Sequence, residues 1–198
     1  MIVIIGQERS GTTMLIKIIH ALGVSVGNTE KWWDNIRIRD AFSATLKKDR
    51  VYDGYINARP HTVKRFIESM RYLEFHSIVW KIPQFIFYWP DLIRHLNRFN
   101  PVFIVITRNP YAIALSESKH VNITLKESMN IVYKRQQLVD EFILNNKCLV
   151  VQYEEFFVRP DDVIKKLQKY IRVKGNISDA KKEIGQIKEC VWYKYIKN

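Results

Sequence analysis

A short turn near the amino terminus concentrates residues suited to binding a compact anion. Gly6 and Gly11 bracket this turn, and Arg9 lies between them. A guanidinium group can hold one oxyanion through two parallel hydrogen bonds. A helix is predicted to follow, with its free N–H groups and positive dipole end facing the turn. Hydroxyl side chains stand beside the arginine and at the start of this helix: Ser10, Thr12 and Thr13.

The spacing of the two glycines is that of the triphosphate-binding pattern G-x-x-x-x-G-K-[ST]. In that pattern the lysine reaches the β- and γ-phosphates, and the hydroxyl residue holds Mg²⁺. Thr12 occupies the lysine position in this chain, and the cation is Arg9 inside the loop. The loop is therefore predicted to hold an anion other than a magnesium-bound triphosphate.

A second candidate anion site follows the apolar run Val102–Thr107. This run is typical of a strand buried on both faces of a parallel sheet. Arg108 comes directly after it, at the edge where open α/β sheets bind ligands. Asn109 and Pro110 are expected to cap and begin a helix, which places Ser116 two turns further on. Two cationic anion sites without a metal ligand suggest a nucleotide charged at both ends of its ribose.

These residues resemble two motifs of the sulfotransferases that use 3′-phosphoadenosine 5′-phosphosulfate (PAPS). Residues 9–13, Arg-Ser-Gly-Thr-Thr, are similar to the 5′-phosphosulfate loop [KR]-S-G-T-[ST]. Arg108 and Ser116 are similar to the element R-x-x-x-x-x-x-x-S, which holds the 3′-phosphate. The resemblance implies that these residues contact PAPS. Met14 falls where cytosolic members place an aromatic beside adenine, although its helical spacing is equally consistent with core packing.

Two softer matches support the same order of elements. Residues 79–83 resemble the strand end reading K-x-P in bacterial members, and residues 150–160 resemble a segment reading Y-E-[DE]-hydrophobic. Ile82 and Gln152 depart from the residues that the family often has. The resemblance covers residues 1 to about 171. It makes Lys81 a candidate to stabilise the transferring sulfuryl group, and the alternative is a lysine that extends from a strand end into solvent.

The resemblance implies transfer of a sulfuryl group from PAPS to a hydroxyl or amine of a carbohydrate or small molecule. The product would be 3′-phosphoadenosine 5′-phosphate (PAP), and no metal is required. An acceptor hydroxyl also needs a base within hydrogen-bond reach. Asp34 is the first candidate for this catalytic role, beside Arg9 and Lys81. The other candidate bases stay open: Glu30, Asp40, His61 and His76.

The wider sequence predicts a three-layer α/β fold of the P-loop NTPase type, with a central parallel sheet flanked by helices. Apolar runs at 2–5, 78–81, 102–107 and 148–152 alternate with helical patterns at 11–22, 90–99, from 110 and at 160–170. Helices are also expected at 35–48 and 62–72. Thr124 and Glu127 form a capping box for a long helix to about residue 145. A length of 198 residues fits a single domain.

Composition narrows the functional class only slightly. The net charge of +12 suits an anionic cofactor, but it does not select an acceptor. No apolar run approaches the roughly 20 residues needed to span a bilayer. Two cysteines, Cys148 and Cys190, provide neither a disulfide framework nor a metal-binding spacing. A cytoplasmic protein is therefore expected, and its oligomeric state is left open.

Two other functions compete with the first interpretation. A P-loop kinase or NTPase with a degenerate Walker A loop explains residues 6–13, but it accounts for neither the missing lysine nor Arg108. A nucleic-acid-binding module fits the pI near 9.7. Its basic residues are dispersed, however, and no recognition helix or RNP-like string is present. No nucleic acid partner is therefore predicted.

Overall fold

The computed structural model describes residues 1–26, 79–81 and 83–185. Within them four strands form one parallel sheet in the order β2-β1-β3-β4. Their bounds are β1 Ile2–Ile5, β2 Val79–Lys81, β3 Val102–Thr107 and β4 Cys148–Gln152. The helices predicted at 35–48 and 62–72 lie outside the described residues.

The strands form because their apolar side chains are buried on both sides of the sheet. Ile4 pairs with Ile104 and Ile5 with Val105, so β1 occupies the middle of the sheet. On the other side of β1, Ile4 pairs with Lys81. This register brings the carboxyl ends of β1, β2 and β3 to one edge. The loop after β1, Lys81 and Arg108 therefore share the edge that the sequence predicted.

One face of the sheet packs against three helices. These are α1 Thr12–Ala21, α6 Pro160–Ile171 and α7 Ile177–Gly185. Ile2 and Ile4 point to this face and join a core with residues of α1 and α6. Tyr153, which follows β4, belongs to the same core. We call this side of the sheet the Tyr153 layer.

The opposite face packs against α2 Trp89–Leu96 and the second half of α4 Leu125–Asn145. Val3 and Ile5 point to this side and contact a core that includes Phe142 of α4. Phe142 packs edge-on against Phe103, with ring centroids 5.3 Å apart. We call this side the α4 layer. The predicted three-layer α/β fold is therefore confirmed.

Helix ends follow the predicted capping chemistry. The Asn109 side chain accepts hydrogen bonds from the backbone N–H groups of Tyr111 and Ala112 and caps α3 Pro110–Val121. Thr124 and Glu127 form the predicted capping box at the start of α4. These interactions satisfy N–H groups that a helix leaves without an internal partner.

Other elements differ from the sequence prediction. The helix expected at 90–99 is divided into α2 and a 3-10 turn at Asn97–Phe99, and Asn100 ends that turn in the left-handed region. The sequence pattern did not predict the 3-10 turn Pro83–Phe87, the one-turn helix α5 Glu155–Val158 or α7. Both short turns have too few residues to show a helical period.

Candidate functional site

The loop between β1 and α1 is closed by its own hydrogen bonds. The backbone N–H of Ser10 donates to the carbonyl of Gln7 at 3.1 Å, and its hydroxyl donates to the same oxygen at 2.7 Å. Arg9 has a φ of 66°, which is uncommon for a residue with a side chain. Such a conformation persists only where the surrounding contacts fix it, and it is concentrated at functional sites.

Both bracketing glycines are required by close packing. A Cβ at Gly6 would lie 2.6 Å from Ser10 Oγ and 2.8 Å from the carbonyl oxygen of Ile106. A Cβ at Gly11 would lie 2.3 Å from Cδ2 of Tyr153, and the φ of Gly11 is 101°. The loop therefore fits closely against β3 and against the residue that follows β4.

Arg108 connects the two predicted anion-binding motifs. Its guanidinium donates a hydrogen bond to the carbonyl oxygen of Arg9 at 2.8 Å. Its Cζ lies 4.5 Å from the ring centroid of Tyr153, close enough for a cation–π contact. Tyr153 thus supports both Gly11 and Arg108. In the sequence prediction the segment around Tyr153 only supported the fold, and the contact between Tyr153 and the loop was not predicted.

Lys81 points to the loop and not into solvent. Its ammonium donates to the hydroxyl of Thr13 at 3.0 Å, and the residue is only 3% exposed. The structure therefore contradicts the alternative of a lysine that extends into solvent, and the role of this cation at the anion loop stays a prediction. A buried ammonium that keeps its charge needs acceptors or an anion around it.

The other residues predicted to contact the cofactor lie on helices α1 and α3. Ser116 lies on α3 and is partly exposed. Thr12 is buried at the first position of α1, where its N–H faces the loop. Met14 is fully buried in the Tyr153 layer. Of its two possible roles, the structure supports core packing, and we do not retain the adenine contact.

A buried ion pair beside the loop was not predicted. Arg135 of α4 donates to both carboxylate oxygens of Glu117 on α3, at 2.9 and 3.0 Å. Their side chains are 6% and 2% exposed. Burial raises the pKa of the Glu117 carboxyl, the charge of Arg135 opposes that shift, the nearby Glu8 adds to it, and Arg9 lowers it.

A sequence signal for this pair existed. Arg135 falls at the same helical spacing as Val132, Val139 and Phe142, so it is a charged residue on the apolar face of α4. A charge at such a position needs a buried partner. The sequence did not identify that partner, because Glu117 lies on a different helix.

The structure does not test the predicted base. Asp34 and the alternatives Glu30, Asp40, His61 and His76 all lie outside the described residues. Over residues 1–26, 79–81 and 83–185, no group of three or more His, Cys, Asp or Glu side chains is arranged to hold a metal ion. Over the same residues, no helix is both long enough and apolar enough to cross a membrane.

Comparison with known proteins identifies the family. The sequence model of the Sulfotransferase family matches residues 2–175, which is most of the chain. The chain belongs to the sulfotransferase family. At the level of sequence, no curated protein is significantly similar to it.

Solved structures share the fold of this sulfotransferase at low sequence identity. The sulfotransferase domain from the curacin biosynthetic pathway has a TM-score of 0.58 and 13% identity, over 88% of this chain and 74% of that domain. The sulfotransferase domain of the Synechococcus PCC 7002 olefin synthase has a TM-score of 0.56 and 14% identity, over 98% and 82%. Mouse sulfotransferase SULT7A1, complexed with PAP, has a TM-score of 0.52 and 15% identity, over 92% and 62%.

Proposed function

We propose that this protein transfers a sulfuryl group from PAPS to a hydroxyl or amine of a carbohydrate or small molecule. Family membership supports sulfuryl transfer, and the PAP complex of the mouse enzyme suggests the donor. The observation that carries the proposal is the hydrogen bond from Arg108 to the carbonyl of Arg9. This contact brings together the two arginines that the family motifs assign to the 3′-phosphate and the 5′-phosphosulfate.

The described residues fit the two charged ends of PAPS. Arg9 and the N–H groups at residues 11–13 provide donors for the 5′ side, at the positive end of α1. Arg108, held between Tyr153 and the loop, and Ser116 on α3 would hold the 3′-phosphate. The glycines at 6 and 11 leave the space that the loop needs.

In the reaction, PAPS supplies the sulfuryl group and PAP is the leaving group. The S–O bond to the 5′-phosphate breaks, a bond from sulfur to the acceptor oxygen or nitrogen forms, and the acceptor releases one proton. Donors fixed where negative charge develops lower the barrier. We assign this role to Arg9 and Lys81, because Lys81 is already held against Thr13 of the loop. Asp34 stays a prediction as the base, and so does the cytoplasmic location.

Thermal unfolding with different nucleotides tests the proposal. The protein would be heated alone, with PAP, with AMP, and with ATP plus Mg²⁺. A ligand that binds only the folded state adds roughly 2.7 kcal/mol of stability at a hundredfold excess over its Kd. We expect PAP to raise the midpoint without added metal, AMP to raise it less, and Arg108→Ala to remove most of the PAP effect.

Activity is then measured as transfer of ³⁵S from labelled PAPS to a panel of sugars, phenols and amines. Stabilisation by ATP only with Mg²⁺, and none by PAP, would contradict the sulfotransferase proposal. That result would favour the alternative, a P-loop kinase or NTPase with a degenerate Walker A loop.

A further inference from the structure

One buried polar atom of the anion loop is not explained by the proposed cofactor contacts. Gln7 is 2% exposed, and its side-chain oxygen Oε1 has no hydrogen-bond donor among the described residues. Leaving a buried acceptor unsatisfied costs roughly 1–3 kcal/mol. Such atoms are uncommon in native proteins, and each one calls for an explanation. Gln7 stands two residues before Arg9, so the unsatisfied oxygen belongs to the candidate site.

The orientation of the Gln7 amide is fixed by a chain of hydrogen bonds. Asp140, when ionised, can only accept, and it accepts from the Gln136 side-chain nitrogen at 2.8 Å. Gln136 must then present its oxygen to Gln7, and the Gln7 nitrogen donates to it at 2.8 Å. The Gln7 oxygen is consequently left for another donor. A flipped Gln7 amide would place two oxygens against each other.

The missing partner must be a hydrogen-bond donor, which excludes the phosphate and sulfuryl groups of the cofactor. Phosphate and sulfuryl oxygens carry no proton when fully ionised, so they cannot donate a hydrogen bond to an amide oxygen. A hydroxyl or an amine can. The acceptor substrate must carry such a group, because that group is sulfated. The ribose and adenine of the nucleotide carry donors as well, so position must decide between them.

Position favours the acceptor substrate. Gln7 contacts Gln136 of α4, and the second half of that helix packs in the α4 layer. Arg108 instead lies on Tyr153, which belongs to the layer on the other face of the sheet. The Gln7 amide is thus directed to α4, whereas the Arg108 guanidinium is directed to Tyr153. In-line transfer requires the incoming group to approach the sulfur from the side opposite the leaving phosphate.

We propose that the Gln7 side-chain oxygen accepts a hydrogen bond from the reactive hydroxyl or amine of the sulfate acceptor. This inference rests on the proposed function and adds the residue that orients the second substrate. Gln7 takes no proton, because an amide oxygen is a weak base, and the proton leaves to a base or to water as the S–O or S–N bond forms. Gln136 and Asp140 act as positioning residues, since they fix the Gln7 amide without touching the acceptor.

The test compares Gln7→Met with the wild-type enzyme. Methionine is close in size and length to glutamine but cannot accept a strong hydrogen bond. Labelled PAPS is supplied with 4-nitrophenol as the acceptor, and transfer to water is measured in parallel as release of sulfate. We expect the rate of transfer to both acceptors to fall at least tenfold, with the PAP-induced rise in unfolding midpoint unchanged. The midpoint of the free protein should stay within a few degrees of wild type.

A second pair of variants tests the orientation mechanism. Asp140→Leu removes the carboxylate that fixes the chain of hydrogen bonds, so that the side-chain amides of Gln136 and Gln7 can both flip. We expect a two- to fivefold loss of transfer that appears in the KM for 4-nitrophenol. Glu141→Leu changes the adjacent exposed carboxylate of α4. Its side chain takes no part in the hydrogen bonds between Asp140, Gln136 and Gln7, so this variant should leave that KM unchanged.

Three results would overturn the inference. Unchanged transfer by Gln7→Met would show that the oxygen does not orient the acceptor, and a bound water would then be its partner. A parallel loss of PAP binding would place Gln7 in the cofactor site. Wild-type protein that is not stabilised by PAP and transfers no sulfate even to water would refute the proposed function itself, and the inference with it.

Discussion

The two edges of the sheet are both cationic, but their cations have different partners. At the carboxyl edge, Lys81 and Arg108 contact the anion loop, and α1 begins there. At the amino edge, a cavity of about 1010 Å³ is lined, among the residues that the structure describes, by several basic residues and no acidic one. The basic residues are Lys147, Lys166, Lys169 and Arg172.

Helix direction explains the difference between the edges. Helices α4 and α6 end beside the amino-edge cavity, at Asn145 and Ile171. The carbonyl end of a helix carries partial negative charge, which nearby lysines and arginines neutralise. Lys166 also donates to the carbonyl oxygen of Val150 at 3.3 Å. The cations of the amino edge therefore stabilise the fold, whereas those of the carboxyl edge surround a helix amino terminus and remain suited to an anion. Positive charge alone does not identify a site.

The largest expected effect comes from the buried ion pair beside the carboxyl edge. Arg135→Met leaves the Glu117 carboxylate buried without its cation, and removal of one partner of a buried pair costs about 3–5 kcal/mol of unfolding free energy. The double variant Glu117→Leu/Arg135→Met should recover much of this loss. Urea unfolding of the three proteins measures it. A loss in the double variant equal to that in the single one would show that the pair itself stabilises the fold.

An exposed pair supplies the control for that prediction. Lys182 and Asp179 on α7 form an ion pair with side chains 71% and 50% exposed. Lys182→Met should leave urea unfolding unchanged, because exposed pairs contribute little.

A glycine of the loop gives the next largest effect. Gly11→Ala adds a Cβ 2.3 Å from Tyr153 at a φ of 101°, whereas Gly23→Ala meets nothing within 4 Å at a φ of 89°. The left-handed conformation alone costs about 1–2 kcal/mol for alanine, so Gly23→Ala should lose about that much. Gly11→Ala should lose more and also lose the PAP-induced thermal shift. Equal stability of the two variants would contradict the close fit of loop and Tyr153.

Variants at Arg108 and Lys169 compare how much each edge of the sheet contributes to PAP binding. Arg108→Ala should weaken PAP binding about 10- to 100-fold, since a charged hydrogen bond is worth about 1.5–3 kcal/mol. Lys169→Ala removes an equal charge from the amino-edge cavity and should change PAP binding less than twofold at 0.15 M salt, where screening is strong. Isothermal titration calorimetry measures both. Similar losses in both variants would mean that overall charge, and not the site, attracts the nucleotide.

The smallest effect concerns the helix that carries Ser116. Asn109→Ala removes two hydrogen bonds that cap α3 and should cost about 1 kcal/mol. Thr124→Ala removes the comparable cap of α4. Both should lower stability in urea, but only Asn109→Ala should weaken PAP binding, because α3 begins directly after Arg108. If Thr124→Ala also weakened PAP binding, the cause would be a general loosening of α3 and α4 and not the loss of the cap after Arg108.

Some features of this protein are local, and the sequence predicted them correctly. The bounds of β1, β3 and β4 agree with the apolar runs, because a strand buried on both faces needs apolar residues at every position. The caps at Asn109 and Thr124 are also local, since their geometry involves residues within a few positions. For the same reason the strands and helices that were predicted within residues 1–26, 79–81 and 83–185 occur in the predicted order.

The contacts that assemble the site join distant residues, and only the tertiary structure shows them. Lys81 and Thr13 are 68 residues apart, Arg108 and Arg9 are 99 apart, and Gln7 and Gln136 are 129 apart. The sequence determined which residues could bind an anion, because glycine, arginine and hydroxyl chemistry is a property of residue type and spacing. The tertiary structure decided which of them meet and which amide oxygen is left without a donor, because strand register and helix packing set these distances.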